Sequence, residues 1–171
     1  VGFFFSIDDR FRRITQILSR DGEVGFEDLA VIQRDVYGIS PVAVRDLILR
    51  RIEDHNVNVP AEFLECLSEW DGHFRVDSAG GVAFQLLLGH FAQGYYTRRY
   101  GEEAAEFPVR SSFLMGLVRE DLNSEDQTHV KAALAEAVKR AARDAPEFAT
   151  WGDMHRLPVA HLLGRLPLVG K

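Results

Sequence analysis

Apolar residues recur at intervals of three and four along almost the whole chain, and the strict alternation typical of a β-strand is hard to find. This pattern predicts an all-α fold. The clearest helix signal begins at Ser124-Glu125-Asp126-Gln127, where a capping hydroxyl is followed three residues later by an amide side chain. The helix that follows carries an apolar stripe on one face. That stripe comprises Val130, Ala133, Leu134, Ala137, Val138 and Ala141.

The same periodicity, interrupted by glycine and proline, predicts about seven helices in all. Four of them precede the middle of the chain. They are expected from Ser6 to Gly22, from Phe26 to Tyr37, from Ser40-Pro41 to His55, and from Pro60 to Trp70. Ser40 is expected to cap the third helix, with Pro41 in its first turn.

Asp71-Gly72 is a strong turn signal, and a short loop from His73 to Ser78 should connect it to the next helix. That helix is predicted from Ala79 to Tyr100. It is apolar around much of its circumference, so we expect it to be the most central element. It also contains four glycines, which lower helix propensity, so they should allow close packing against another helix or a kink. These are Gly80, Gly81, Gly89 and Gly94.

The remaining segments are predicted from their composition. A glutamate-rich linker should run from Gly101 to Pro108, followed by an amphipathic helix from Ser111 to Asn123. Prolines and glycines predict an irregular arm over residues 151–171. The apolar residues 1–5 resemble a connector, because they lack a basic leader and are far too few to span a membrane.

The length and net charge of the chain limit the classes of protein to which it can belong. With 171 residues and 46% hydrophobic content, residues 1–171 can form one helical domain with its own core. The net charge of −6 opposes the basic surface that nucleic-acid binding requires. A nucleic-acid binder that uses Arg10, Arg12 and Arg13 is therefore disfavoured.

The chain offers little catalytic chemistry of its own. Its serines fall at caps, turns and exposed faces, and none lies in a Gly-x-Ser-x-Gly elbow. Val1 has no nucleophilic atom. Cys66 lies beside helical apolar positions and is expected to act as a small core hydrophobe. His155 and His161 with Asp153 lack the spacing of a metal site, so we expect His155 to anchor the arm through its ring nitrogens.

Arg10 is the exception that suggests a role. It begins the densest cationic run, Arg10-Phe11-Arg12-Arg13, and lies in the first turn of its helix, where the helix dipole disfavours a cation. A partner carboxylate would explain it. Asp8, Asp9 or an acid outside this sequence could supply one.

An ordered set of short motifs resembles the large (β) chain of the penicillin acylases, also called penicillin amidases. The set covers nearly the whole chain. It consists of Arg10-x-x-x-Ile14, Glu27-Asp28, Gln33-x-Asp35, Trp70-Asp71-Gly72, Trp151-Gly152-Asp153-Met154-His155 and Leu163-Gly164. The resemblance implies a helical cover from an αββα amidohydrolase whose nucleophile is the amino-terminal serine of a processed chain.

The same resemblance sets the functional expectations. The full-length enzyme would hydrolyse the amide between an acyl group and an amine, such as a β-lactam side chain, through an acyl-enzyme. This segment alone would be inactive. Arg10 matches an arginine that supports the oxyanion network, although a shift of one helical turn would give that role to Arg13. No metal ligand is expected here, because the calcium ligands would lie upstream.

The expected partners also follow from the resemblance. They are the small α chain, the rest of the β chain and an acyl amide substrate, in a periplasmic or secreted enzyme. An uncovered apolar face could also favour dimers. The alternative is a stand-alone helical interaction module without catalysis, whose arm from Trp151 docks on a partner.

Overall fold

The computed structural model describes residues 8–19, 22–125 and 127–156, and within these ranges it contains helices and no β-strand. The all-α prediction is therefore confirmed. The helices are α1 (Asp9–Leu18), α2 (Phe26–Arg34), α3 (Ile39–Asp54), α4 (Ala61–Ser68), α5 (Ala79–Tyr100), α6 (Glu102–Arg110), α7 (Leu114–Leu122), α8 (Gln127–Asp144) and α9 (Trp151–Met154), with a 3₁₀ turn at Ala145–Glu147.

Helix α5 is the central element, as its apolar circumference predicts. Its side chains are buried along most of its length, and it packs against α4, α6 and α8. The predicted stripe of α8 is buried against it. Phe84 and Phe91 of α5 are fully buried, as is Leu134 of α8. Burial of this apolar surface supplies the main stabilisation of the domain.

Two predictions about the elements, those for α6 and for the end of α2, are wrong. Helix α6 occupies most of the predicted linker, since Gly101 turns the chain at φ 84° and Ala105 is buried behind it. Helix α2 ends at Arg34, three residues early, because the Asp35 backbone is extended there. The predicted irregular arm begins with the short helix α9. The described residues therefore hold nine α-helices rather than about seven.

The glycines of α5 divide into two pairs. A Cβ on Gly80 would lie 2.4 Å from the Trp70 Cβ, and one on Gly81 would lie 3.2 Å from the Ser78 Oγ. Close packing against another helix is thus confirmed for Gly80, where a Cβ would also lie 2.9 Å from the Cys66 carbonyl oxygen of α4. For Gly81, the atom of another helix is Trp151 Cε3 of α9, at 3.4 Å. A Cβ on Gly89 or Gly94 would meet nothing within 4 Å, so the packing explanation is wrong for these two.

The start of the predicted arm packs on the loop before α5. The Trp151 amide donates to the Ser78 carbonyl at 2.9 Å, and the Gly152 amide donates to the Val76 carbonyl at 2.8 Å. Residues 157–171 of the arm and the predicted connector at residues 1–5 lie outside the described residues. Within the described part, no helix is both long and apolar enough to cross a bilayer.

Candidate functional site around Asp35 and the Trp-Asp-Gly turn

Asp35 is the centre of a polar cluster between α1 and α2. The Arg13 Nε donates to Asp35 Oδ2 at 2.6 Å, and the Tyr37 amide donates to Oδ1 at 2.8 Å. The Arg13 guanidinium also lies 4.6 Å from the centre of the Tyr37 ring. Burial works to raise the pKa of Asp35, but the Tyr37 amide and the Arg13 guanidinium outweigh it, so the pKa is lowered.

Arg10 binds the carboxyl end of α2 rather than a carboxylate. Its Nη2 donates to the Ile32 carbonyl at 2.5 Å, and its Nη1 lies 3.3 Å from the Asp35 carbonyl. The last carbonyls of a helix lack intrahelical donors and carry its negative dipole end. The expectation that Asp8 or Asp9 pairs with Arg10 is therefore wrong, because α2 itself compensates the cation.

Asp9 instead connects α1 to the start of α3. Its Oδ2 accepts from the Ser40 amide at 2.9 Å, and its Oδ1 accepts from the Ser40 hydroxyl at 2.7 Å. The residue at the cap position of α3 is Gly38, so Ser40 lies in the first turn. The predicted cap was therefore misplaced by two residues, since its hydroxyl bonds a distant carboxylate.

The Trp-Asp-Gly turn packs directly against this cluster. Tyr37 and His73 form an isolated antiparallel bridge, with their rings 5.0 Å apart. Gly72 adopts φ 85°, and a Cβ there would lie 2.4 Å from the Val42 Cγ2. The Gly38 amide donates to the Gly72 carbonyl at 2.9 Å. Only glycine fits this position, because both the backbone conformation and the available space exclude a side chain.

Trp70 connects the turn to the hydrophobic core. Its indole N–H donates to the His73 carbonyl at 3.0 Å, and its ring stacks on Phe84 with centroids 5.0 Å apart. Arg45 donates to the Trp70 carbonyl. Phe74 continues the aromatic cluster to Trp151, with ring centroids 4.6 Å apart. The structure thus brings together residues from several of the widely spaced motifs.

His155 and Cys66, two further residues considered from the sequence, have the following surroundings. The His155 ring stacks 3.9 Å from the Trp151 ring, and its Nδ1 lies 3.1 Å from the Trp151 carbonyl, consistent with an anchor. His161 lies outside the described residues.

Cys66 packs on the core but is only half-buried. Burial raises the pKa of its thiol, and the nearby charge of Glu69 raises it further. No group of three or more potential metal ligands occurs in the described ranges.

Protonation of Asp71 at acidic pH should destabilise the Trp-Asp-Gly turn. The Arg75 guanidinium and the His73 amide both donate to this carboxylate and lower its pKa to about 2. A carboxyl group whose pKa is lower in the folded than in the unfolded protein stabilises the fold. This stabilisation is complete above the pKa of the unfolded protein and is lost as the pH falls toward the pKa of the folded protein. We expect the free energy of unfolding to fall between about pH 4 and pH 2, and to fall less in Asp71→Asn. Urea titrations across this range measure it, and parallel losses in both proteins would exclude Asp71 as the cause.

The comparisons with known proteins identify a family but no individual relative. A family model described as penicillin amidase matches residues 1–171, the whole of the sequence. No curated protein matches the chain, and no solved structure does.

Proposed function

The chain belongs to the penicillin amidase family, and from that premise we propose that it is the helical part of an amidohydrolase. The reaction is hydrolysis of an amide bond to a carboxylic acid and an amine. A serine oxygen attacks the amide carbonyl, the amine leaves with a proton, and water then cleaves the resulting acyl-enzyme. In this proposal, the serine belongs to a part of the enzyme outside these 171 residues.

The distribution of exposed apolar side chains supports the proposal that this segment packs against the rest of an enzyme. Seven of the ten exposed large apolar side chains in the described ranges lie between Phe11 and Val36. Phe26 is 84% exposed, Phe11 is 71% exposed and Leu29 is 54% exposed. Concentrated apolar exposure of this kind marks an interaction surface. The occupants we propose are the remainder of the β chain and the small α chain.

This distribution favours the enzyme segment over the free-standing interaction module. A free-standing module should have a closed core and a polar exterior throughout. The helices from α3 to α8 do enclose a common core, with Val44, Leu87 and Val138 all buried. The first two helices bury only Ile17 and Ile32. A second copy that covers the exposed apolar side chains of α1 and α2, such as Phe11, Phe26 and Leu29, would instead give a dimer.

We assign the supporting role in the oxyanion network to Arg10. Its guanidinium is oriented by the Ile32 carbonyl of α2 and the Asp35 carbonyl that follows the helix, so it can hold a fixed direction toward a neighbouring polar group. Arg13 is less suited, because its Nε is committed to Asp35 and its guanidinium lies over Tyr37. Arg10 thus acts as a positioning residue for the groups that stabilise negative charge.

Kinetics of Arg10 variants in the full-length protein test this role. We expect Arg10→Ala to lower kcat for a chromogenic acyl amide by roughly 10- to 100-fold, with a small change in KM. Arg10→Lys should recover part of the loss, because it restores the charge without the planar guanidinium.

Arg34→Ala is the matched control, since Arg34 is exposed and its Nε bonds only the Ala30 carbonyl of its own helix. Thermal unfolding of each variant separates loss of function from loss of fold. Equal kcat values for Arg10→Ala and the control would exclude the role.

For metal binding and cellular location, we propose what is usual in the family. Any calcium would be held by ligands outside this sequence. The complete enzyme would be periplasmic or secreted, and its acyl substrate would be chosen by pocket residues elsewhere in the protein.

A further inference from the structure

One arginine of the amino-terminal run is unused by the cluster around Asp35. Arg10 bonds the Ile32 and Asp35 carbonyls, and Arg13 pairs with the Asp35 carboxylate. The Arg12 side chain is exposed and makes no hydrogen bond or ion pair in the described structure. Arg119, near the end of α7, is exposed and equally unpaired. Most other arginines in the described ranges have a carboxylate or carbonyl partner, so these two are candidates for binding an external anion.

Arg12 and Arg119 line the same cleft. It lies between α1, α3 and α7 and has a volume of about 260 Å³. Ala43, Val44 and Met115 supply apolar wall, and Val44 is also part of the hydrophobic core. A Cβ on Gly116, which lines the cleft as well, would meet nothing within 4 Å. The cleft therefore combines open space, an apolar wall and two unpaired guanidinium groups.

The acidic side chains around the cleft leave this positive charge in excess. Among the described residues, Asp8 is the one carboxylate that lines it, beside two guanidinium groups. Asp9 is nearby in sequence, but both of its oxygens accept hydrogen bonds from Ser40. Ser40 also lines the cleft, yet its amide and hydroxyl are committed to Asp9. The donors left for a ligand are thus those of Arg12 and Arg119.

We propose that this cleft binds a small carboxylate with a short hydrocarbon chain. A guanidinium presents parallel N–H donors that match the two oxygens of a carboxylate, and charge assistance strengthens these bonds. The hydrocarbon chain would lie against Ala43 and Met115, away from water. Inorganic phosphate could meet the guanidinium groups but has no apolar part for that wall. Binding in the cleft requires only the residues that line it and no amide hydrolysis.

Titration of the full-length protein with butyrate tests the site. The ¹³C-methyl signal of Met115 reports from the cleft wall, and Met154 on α9 serves as an internal reference. We expect the Met115 signal to shift saturably, with a Kd of roughly millimolar order, because the guanidinium groups are solvent-exposed. Phosphate at matched ionic strength should bind more weakly. Higher salt should weaken butyrate binding.

Matched variants distinguish the cleft from general attraction to arginine. Arg12→Gln and Arg119→Gln should each weaken butyrate binding about 10-fold, the equivalent of one charge-assisted bond. Gly116→Leu should abolish binding by filling the cleft. Arg98→Gln should leave the Kd unchanged, since Arg98 is another exposed, unpaired arginine, but on α5 and outside this cleft. Absence of a saturable Met115 shift, equal or tighter binding of phosphate, or equal effects of Arg98→Gln and Arg119→Gln would overturn the proposal.

Discussion

Replacing Trp70 by alanine is expected to lower the free energy of unfolding by about 4 kcal/mol, the middle of the range for loss of a large buried aromatic side chain. Trp70 is 5% exposed and lies between the core and the turn. Its ring contacts Phe74 and Phe84, and its indole donates to the His73 carbonyl. The substitution therefore leaves a cavity and an acceptor without its donor.

Urea denaturation followed by far-UV circular dichroism measures this loss. Phe107→Ala is the matched control, because Phe107 is also aromatic but 76% exposed on α6. It should change stability by less than about 0.5 kcal/mol. A Trp70→Ala protein as stable as the Phe107→Ala protein would show that Trp70 does not hold the turn to the core.

Adding one methyl group at Gly80 is expected to cost about 2 kcal/mol through overpacking. The new Cβ would lie 2.4 Å from the Trp70 Cβ and 2.9 Å from the Cys66 carbonyl oxygen. The first atom lies near the Trp70 backbone and the second belongs to the backbone, so neither can move as the end of a flexible side chain does. Helix α5 would have to move away from α4 and from the residues that follow it.

Gly89→Ala provides the opposite expectation within the same helix. A Cβ there meets nothing within 4 Å, so only helix propensity changes. Alanine should stabilise α5 by about 0.5–1 kcal/mol. Thermal unfolding of the two variants side by side measures the difference. Stabilisation by both substitutions would contradict close packing of α4 on α5 at Gly80.

Helix α5 shows what could be predicted from the sequence. Its bounds, Ala79–Tyr100, agree with the prediction because a long apolar segment begins at a serine cap and ends at a glycine. Helix α6 could not be recognised in this way. Its glutamates and Pro108 resemble a linker, and only the burial of Ala105 against the rest of the fold makes it a helix. Tertiary packing decided that segment.

Several residues of the candidate site could be recognised from the sequence, but their contacts with one another could not. Asp35 and Trp70 were recognised within motifs, whereas the part played by Tyr37 and Arg45 was not. The Arg45 bond to the Trp70 carbonyl spans 25 residues. Arg10 was singled out by its unfavourable place in α1, yet its partners are backbone carbonyls at the end of α2, those of Ile32 and Asp35. Backbone acceptors exist at every residue, so sequence alone cannot select among them.

The most direct test of the central proposal is an amide hydrolysis assay on the full-length protein, combined with intact mass spectrometry. Chromogenic phenylacetyl and long-chain acyl amides would serve as substrates. We expect release of the amine, and rapid quenching should trap a chain that begins at serine and is heavier by one acyl group. A correctly folded full-length protein that releases no amine from either substrate and acquires no acyl group would contradict the assignment of amidohydrolase function.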